Sequence, residues 1–369
     1  MLHLNRRLLM QAGSLLAPAL IAGRTRPVLA AQAATATRAR LNVTENPFGP
    51  SPAARKAIIA CVPEAPYYVE DDHALRDKIG YQENLEREKV ALSNGSLDAL
   101  SLLSTDIGRK GHILAPQPTY ATHLNYAQRR GVEVRYVPLV DHAINLDALR
   151  QAITPQTALV YLCNPNNPTG DMLDHAKLLS FCRDISKTIP VLVDEAYFEL
   201  LPSADQMTVS SLVHSGHDVI VARTFSKVYG LAGLRIGYIL AQPNRVKQLY
   251  SLTTTSRNQA GYAAAIASLG DKTYLEGAIA YLKSCRTMIY DICEKNSLTF
   301  LKSQGTFVYV DTQRPAEKMK TALAQRGVDI RVFDAPAYQT WIRVGTATPA
   351  ELAMFGRALP AALQDVPKA

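Results

Sequence analysis

Lys227 lies in surroundings that suit an amine for bonding to an aldehyde. It follows the apolar run Val219–Ala222 and ends the segment Thr-Phe-Ser-Lys, which begins at Thr224. A lysine buried between small hydroxyl side chains, directly after an apolar strand, is the group that a Schiff-base enzyme needs. Thr224, Ser226 and Arg235, the last of them eight residues beyond the lysine, can hold a phosphate group nearby. The segment therefore predicts an enzyme that binds an aldehyde carrying a phosphate.

Two segments upstream make this chemistry more specific. One is Asn-Pro-Asn-Asn-Pro-Thr-Gly at residues 164–170, and the other is Val-Asp-Glu-Ala-Tyr at residues 193–197. Asp194 follows three apolar residues of a predicted strand, where an unpaired carboxylate would be costly to bury. Without the motif, an aspartate at the end of a strand usually serves as a helix cap. Together with the lysine segment, the two motifs indicate pyridoxal phosphate.

A phosphate site is predicted where Gly95, Ser96 and Leu97 follow a strand and open a helix. The free N–H groups and the dipole at the N-terminus of a helix bind anions. The two hydroxyl groups and the arginine of the lysine segment would complete this cradle. Ser96 acting only as a stabilising helix cap is the alternative.

The elements that position these motifs alternate between short β-branched runs and helical patterns from Val90 onward. This alternation predicts an α/β fold with a mostly parallel, seven-stranded sheet covered by helices. The predicted strands are Lys89–Leu92, Gly111–Ala115, Val132–Pro138, Ala158–Leu162, Val191–Val193, Val219–Ala222 and Ile236–Leu240. The motifs come just after the carboxyl ends of strands, where open α/β sheets bind their ligands.

A smaller α+β domain is predicted to follow the sheet. The pattern indicates a long helix over Ala260–Leu282 that continues toward residue 295, and then strands at Thr306–Asp311 and Trp341–Gly345. The predicted divisions are a signal peptide at 1–33, an N-terminal segment at 34–62 joining the small domain, a large cofactor-binding domain at 63–280, and a small C-terminal domain at 281–369.

From about residue 41 to residue 350 the chain resembles the fold type I aminotransferases, which use pyridoxal phosphate, in the class I/II branch around histidinol-phosphate aminotransferase. The resemblance begins with Leu-Asn-Val-Thr-Glu-Asn-Pro-Phe-Gly-Pro-Ser-Pro at residues 41–52. It continues through Ser-Asn-Gly-Ser at 93–96, Gln-Pro-Thr-Tyr at 117–120, the two motifs above, the lysine segment and Arg343. The order and spacing of these segments make the resemblance specific.

This resemblance implies a role for each residue around the cofactor ring. Lys227 forms the Schiff base and, once substrate has displaced it, moves a proton as general base and acid. Asp194 faces the pyridine nitrogen and keeps the ring protonated, so that the ring can take up negative charge from the substrate carbon. Tyr197 and Asn167 hydrogen-bond the phenolic oxygen of the ring, and Tyr120 stacks on its face.

The resemblance also implies how the substrate and a second subunit are bound. Arg343 clamps the substrate carboxylate, or a phosphate, while Arg331 and Asn46 also lie at the substrate. Tyr67 or Tyr68 matches a tyrosine that reaches the cofactor phosphate of a neighbouring subunit. A homodimer with composite active sites is therefore expected.

Two residues depart from the pattern of the family. Leu97 stands where an acidic residue is usual, so backbone donation to the phosphate survives while a side-chain contact can be lost. Arg257 stands where the branch carries an uncharged residue. It either crosses the dimer interface to a substrate anion or pairs with a surface carboxylate, and the sequence favours neither.

The expected activity is transfer of an amino group from an amino acid or related amine to a 2-oxo acid, with 2-oxoglutarate as the expected acceptor. Aromatic amino acids, histidinol phosphate and basic amino acids all remain open as donors. The alternative is a decarboxylase, or a cyclising or eliminating enzyme, because these share every cofactor residue named above. A cofactor-sensing regulator of the same fold is not expected, since the 40 residues before the segment at 41–52 are too few for its DNA-binding domain.

Composition narrows the class of protein further. The chain has 369 residues, of which 47% are apolar and 20% charged, and it can bury a large core. Its formal charge is +8, but residues 1–33 hold four arginines and no acid, which leaves 36 basic and 32 acidic residues elsewhere. Their dispersion disfavours nucleic-acid binding. The five cysteines form no metal-type pairs, the histidines have no ligand spacing, and no metal is expected.

The N-terminus resembles a twin-arginine export signal. Asn-Arg-Arg-Leu-Leu-Met at residues 5–10 precedes a modestly apolar stretch through Gly23 and small residues suited to cleavage around 28–33. A periplasmic enzyme is therefore expected, or a cytoplasmic one if this segment is only a basic extension. Pro18 interrupts the short apolar run, so no stable membrane association is expected.

Overall fold

The computed structural model describes residues 37–202 and 207–369. Its strands are β1 (Ala39–Arg40), β2 (Val90–Ser93), β3 (His112–Gln117), β4 (Glu133–Pro138), β5 (Thr157–Cys163), β6 (Val191–Asp194), β7 (Val219–Thr224), β8 (Gly237–Leu240), β9 (Thr299–Phe300), β10 (Phe307–Asp311), β11 (Val328–Asp329) and β12 (Trp341–Gly345). Its α-helices are α1 (Pro52–Ala60), α2 (His73–Glu83), α3 (Ser96–Gly108), α4 (Thr122–Arg129), α5 (Leu146–Gln151), α6 (His175–Ile185), α7 (Ser210–His214), α8 (Pro243–Leu252), α9 (Gln259–Ser268), α10 (Lys272–Lys295), α11 (Ala316–Ala324) and α12 (Pro349–Asp365).

The larger sheet has seven strands in the order β2-β8-β7-β6-β5-β3-β4. Strands β3 to β7 run parallel to one another, whereas β8 is antiparallel to both β2 and β7. Every residue of β6 and β7 is buried, as expected for apolar strands that helices cover on both faces. The predicted α/β fold with a mostly parallel, seven-stranded sheet is confirmed, and each predicted strand end lies within two residues of the observed one.

A second apolar core surrounds the C-terminal strands. Strands β12, β10 and β9 form an antiparallel sheet, and β1 pairs in parallel with β11. Leu41, Ile289, Val308 and Phe355 are all buried in this core, so the N-terminal segment packs with the C-terminal part of the chain. The domain limits given above stay predictions, and the one at residue 280 falls inside α10.

The single long helix predicted over Ala260–Leu282 is wrong. The chain forms two helices here, α9 and α10, with a break at residues 269–271. The side chain of Asp271 accepts a hydrogen bond from Tyr274 N at 3.1 Å, and this cap begins a new helix. A glycine followed by an aspartate is a stop signal and then a start signal, which outweighed the continuous helical periodicity.

The predicted export signal at residues 1–33 lies outside the described residues. Among the residues that are described, no helix combines the length and the apolar character needed to cross a membrane.

Candidate active site

Lys227 follows the carboxyl end of β7 and is partly buried. Its Nζ donates hydrogen bonds to Thr44 Oγ1 at 2.7 Å and to Thr44 O at 3.0 Å. Burial and the positive charge of Arg343 together lower the pKa of the amine to about 8, although the carboxylate of Asp194 opposes the shift. Such an amine is neutral often enough near neutral pH to attack a carbonyl carbon or to accept a proton.

Asp194 ends the neighbouring strand β6 and is almost completely buried. Its Oδ1 accepts from Ala196 N at 3.1 Å, and its Oδ2 accepts from the hydroxyl of Tyr161 at a long 3.5 Å. Burial raises the pKa of this carboxyl group to about 7, because these contacts only partly replace water around the charge. A cation placed beside it would restore the ionised form, and a protonated pyridine ring is such a cation.

Tyr197, Asn167 and Arg343 form one hydrogen-bonded row. Asn167 Nδ2 donates to Tyr197 Oη at 3.3 Å, and Arg343 Nη1 donates to Asn167 Oδ1 at 2.9 Å. Tyr197 Oη donates in turn to Thr44 Oγ1 at 3.4 Å. Residues predicted from three separate motifs thus meet beside Lys227.

The side chains predicted to hold a phosphate lie close to the N-terminus of α3. Thr224 Oγ1 donates to Ser226 Oγ at 2.8 Å, and Arg235 Nη1 approaches the same oxygen at 3.4 Å. Arg235 has a backbone φ of 49°, which residues other than glycine rarely adopt. Such a strained backbone points to a functional constraint. At Gly95, where φ is 78°, an added Cβ would lie 2.2 Å from Arg235 Nη2. Only glycine leaves the arginine room to sit against the amino end of the helix that begins at Ser96.

Leu97 lies in the first turn of α3, where it is partly buried. Asp98, one position later, accepts from Asn94 N at 3.2 Å and supplies the negative charge of that turn. The first turn of α3 therefore still carries one acidic residue despite the departure at Leu97.

Tyr120 follows β3 and is only partly exposed. Its ring stacks at 6.1 Å between centroids on His123, which in turn packs edge-on against Tyr161 at 4.3 Å. Burial lowers the pKa of His123 to about 3, and neither ring nitrogen has a hydrogen-bond partner in the part of the chain that the structure describes. The uncharged ring of His123 thus packs against the ring of Tyr120.

Arg343 has an unusual environment for an arginine. It is almost fully buried, with its guanidinium 5.4 Å from the ring centroids of both Phe307 and Phe333. Burial, with a further contribution from the positive charge of Arg331, brings its pKa down to about 10, although Tyr197 opposes the shift. Its Nε has no partner among the described residues, although a buried N–H group is costly to leave unpaired. An anion from outside the chain would satisfy it.

Arg331 and Arg343 exchange two backbone hydrogen bonds, of 3.1 Å and 2.8 Å. Residues paired in this way carry their side chains on the same face. Two positive side chains therefore lie next to each other, and Arg331 is exposed. The side chain of Asn46 is bonded to the backbone of the chain and not directed to an anion. Its amide donates to Val228 O at 2.7 Å and accepts from Phe48 N at 2.9 Å.

Tyr67 and Tyr68 do not reach this site within the chain. Their exposed fractions are 69% and 80%, and they follow the exposed apolar residues Ile59 and Val62. Arg257 forms an ion pair with Asp72 Oδ2 at 2.9 Å. Within the single chain this residue therefore pairs with a carboxylate, which is one of the two alternatives given above.

The sequence alone did not single out Thr44, Glu195 or Arg223. Arg223 Nε donates to Glu195 Oε2 at 3.0 Å in a fully buried ion pair, and the guanidinium lies 3.7 Å from the ring centroid of Phe198. Glu195 adjoins Asp194 and Arg223 adjoins Thr224, so this pair ties the two motif loops together. Glu195 and Arg223 carry opposite charges within apolar runs of the sequence. That pattern indicates that each has a partner of opposite charge, because buried charges are paired.

Comparison with known proteins agrees with this arrangement. The family model described as "Aminotransferase class I and II" matches residues 39–359. Histidinol-phosphate aminotransferase of Symbiobacterium thermophilum is 33% identical over 331 residues, covering 88% of this chain and 91% of that protein. The enzyme of the same name from Bacillus velezensis is 31% identical over 313 residues, covering 84% and 87%. The crystal structure of histidinol-phosphate aminotransferase from Sinorhizobium meliloti in complex with pyridoxal-5'-phosphate has a TM-score of 0.83 and 29% identity, covering 89% of this chain and 91% of that one.

Proposed function

We propose that this member of the class I and II aminotransferase family transfers an amino group from an amino acid or related amine to 2-oxoglutarate, through a Schiff base at Lys227. The chain is a pyridoxal phosphate-dependent aminotransferase that is similar to histidinol-phosphate aminotransferases. The observation that carries this proposal is that one site brings together an amine of lowered pKa, a buried carboxyl group of raised pKa and a buried guanidinium whose Nε has no partner among the described residues.

The residues of the chain fit the cofactor. Bound pyridoxal phosphate supplies an aldehyde that condenses with amines and a protonated ring that takes up negative charge from the substrate carbon. Asp194 offers the buried negative charge that this ring requires, and the amino end of α3 with Arg235 offers donors for the phosphate. Tyr197 and Asn167 offer the hydroxyl and amide that its phenolic oxygen would need.

Lys227 then holds and moves the proton of the reaction. With a pKa of about 8, its neutral form accepts a proton from the substrate carbon, and the resulting ammonium returns it to the carbon two bonds away, on the other side of the nitrogen. Asp194 would hold the protonated ring nitrogen of the cofactor and would keep its negative charge during this transfer. The buried surroundings exclude water, which strengthens both electrostatic effects.

Support for a dicarboxylate acceptor comes from the two neighbouring arginines. Arg343 has an unpaired Nε for one carboxylate, and Arg331 lies beside it on the same face at the exposed end. An acceptor with two negative groups would neutralise both charges, which 2-oxoglutarate can do and a monocarboxylate cannot.

Replacing Arg343 with glutamine is expected to reduce kcat/KM by roughly 10²-fold or more, because a buried, charge-assisted contact to the carboxylate is lost. Arg331→Gln is the matched comparison at the exposed neighbour. It is expected to raise the KM for 2-oxoglutarate while leaving that for pyruvate nearly unchanged. Equal effects on the two acceptors would contradict a site for the second carboxylate at Arg331.

The reaction itself is tested with a panel of amino donors and identification of the products. Histidinol phosphate is the first donor to test, given the relatives named above, followed by aromatic and basic amino acids. An amine product with release of carbon dioxide would replace transamination by the decarboxylase alternative. No change in the absorbance of the bound cofactor with any donor would contradict both.

A homodimer with composite sites is part of the proposal. It is supported by Ile59, Val62, Tyr67 and Tyr68, which expose apolar surface on one short stretch of chain. Sedimentation should give twice the mass of the chain. Phenylalanine exchanges at positions 67 and 68 should weaken cofactor binding at only one of the two positions, because one hydroxyl reaches the phosphate of the partner. Unchanged cofactor affinity in both variants would remove the composite site.

We also propose that the enzyme is exported by the twin-arginine route, on the strength of Arg6-Arg7 and the weakly apolar stretch behind them. Cell fractionation should place the shortened chain in the periplasm, and Arg6→Lys with Arg7→Lys should retain it in the cytoplasm. An intact N-terminus found only in the cytosol would exclude export.

A further inference from the structure

Alternate residues of the segment 42–46 bond to Arg343, to Lys227 and to the residue that follows Lys227. Asn42 O accepts from Arg343 Nη2 at 2.8 Å, Thr44 accepts from Lys227, and Asn46 Nδ2 donates to Val228 O. The segment therefore lies directly against both the catalytic lysine and the anion-binding arginine. Of these three contacts, only that of Thr44 is made to a group that the reaction must release and recover.

We propose that Thr44 is a positioning residue of this enzyme, and that its hydroxyl group holds the Lys227 amine whenever that amine is not bonded to the cofactor. The inference rests on the proposed role of Lys227 and names a partner for the amine during the part of the cycle in which substrate has displaced it.

The geometry supports this role in two ways. The Nζ–Oγ1 distance of 2.7 Å is that of a strong, charge-assisted hydrogen bond, and the Nζ–O distance of 3.0 Å directs a second hydrogen to the same residue. An ammonium group has three hydrogens, so one remains free. Two contacts to one residue that is 9% exposed fix the direction of the amine.

The hydroxyl also connects the lysine with the rest of the site. Thr44 Oγ1 accepts from Tyr197 Oη at 3.4 Å, and Tyr197 Oη accepts from Asn167 Nδ2 at 3.3 Å. A hydroxyl oxygen has two lone pairs, and Lys227 Nζ and Tyr197 Oη occupy both of those on Thr44 Oγ1. Valine has the same shape but offers neither lone pair, so the hydroxyl and not the volume of Thr44 is what the site uses.

A hydrogen bond to the ammonium favours the charged form of the amine and so opposes the effect of burial. Removal of the hydroxyl should therefore lower the pKa of Lys227. It should also allow the released amine to adopt directions from which it returns a proton less effectively.

The test uses Thr44→Val, Thr44→Ser and the matched control Val43→Thr, which makes the reverse exchange one residue away. The full chain, freed of cofactor, is labelled with trinitrobenzenesulfonate across a range of pH, and modification of Lys227 is measured by peptide mass spectrometry. The midpoint of labelling should fall by about one pH unit in Thr44→Val, as loss of one charged hydrogen bond implies. Thr44→Ser and Val43→Thr should keep the midpoint of the unaltered chain.

Turnover of the cofactor-loaded variants gives a second measurement. Thr44→Val should lower kcat by about tenfold with little change in the KM for the donor, and Thr44→Ser should restore it. An unchanged labelling midpoint in Thr44→Val, or a failure of serine to restore it, would overturn the role of Thr44.

If Thr44→Val does not fold, Thr44→Ala removes the same hydroxyl and is judged by the same midpoint. If no donor is turned over by the unaltered enzyme, the proposed function fails, while the midpoint still decides the contact between Thr44 and Lys227.

Discussion

Lys227→Ala is expected to lower the rate of amino transfer by roughly 10⁴-fold or more, because it removes both the nucleophile and the group that moves the proton. Nζ donates its hydrogen bonds to Thr44, and the two charged groups with the largest effect on its pKa, Arg343 and Asp194, are not amines. The measurement is the single-turnover change in cofactor absorbance on addition of donor.

The fold and the phosphate cradle should survive this exchange. Thr224, Ser226 and Arg235 are held by contacts that do not involve the amine, so the variant should still bind the cofactor, but without a bond that borohydride can trap. Lys187→Ala, at an exposed lysine of α6's C-terminal flank, is the matched control and should be fully active. Full activity of Lys227→Ala with added cofactor would refute the Schiff base.

The parts of the fold that could be predicted from the sequence are those decided by local composition. Runs such as Val219–Ala222 are apolar throughout because both faces of the strand are covered, so strands and their approximate ends are readable. The motifs after β5, β6 and β7 were placed correctly at one edge of the sheet for the same reason, since parallel strands carry their carboxyl ends together. The helical periodicity continues through the break between α9 and α10, but the cap at Asp271 begins a new helix there.

The contacts that could not be predicted join residues far apart in sequence. Thr44 is 183 residues from Lys227, and nothing in the composition of its own segment indicates which side chain it faces. Arg223 and Glu195 each carry a charge in an apolar run, which predicts that each has a partner but not that they pair with each other. Asn46 was expected at the substrate, whereas its amide bonds to the backbone at Val228 and Phe48. Sequence identifies which groups need partners, and packing decides which partners they receive.

Asp194→Asn is expected to reduce the rate by roughly 10²- to 10³-fold, the usual effect of removing one preorganised electrostatic contact from a buried site. Asparagine fills the same space and can still accept from Ala196 N, so the hydrogen bond at 3.1 Å should persist while the negative charge is lost. The ring of the cofactor would then lose the carboxylate that keeps it protonated. Asp194→Glu keeps the charge but moves it, and should recover only part of the rate.

The same variant gives a pH test with a definite sign. Burial raises the pKa of Asp194 from 3.8 to about 7, so the folded, cofactor-free chain holds this proton more tightly than the unfolded chain. The group therefore destabilises the cofactor-free fold progressively as the pH rises from about 4 to about 7, and fully above that range.

A protonated ring placed beside the carboxylate cancels this effect, so the increase in Tm on cofactor binding should grow between pH 5.5 and 8, the range around that pKa. Lys227 also favours binding as its amine loses its proton near pH 8, but Asp194→Asn leaves that contribution in place. The difference between wild type and Asp194→Asn therefore isolates the carboxylate, and parallel curves for the two proteins would show that Asp194 does not pair with the ring.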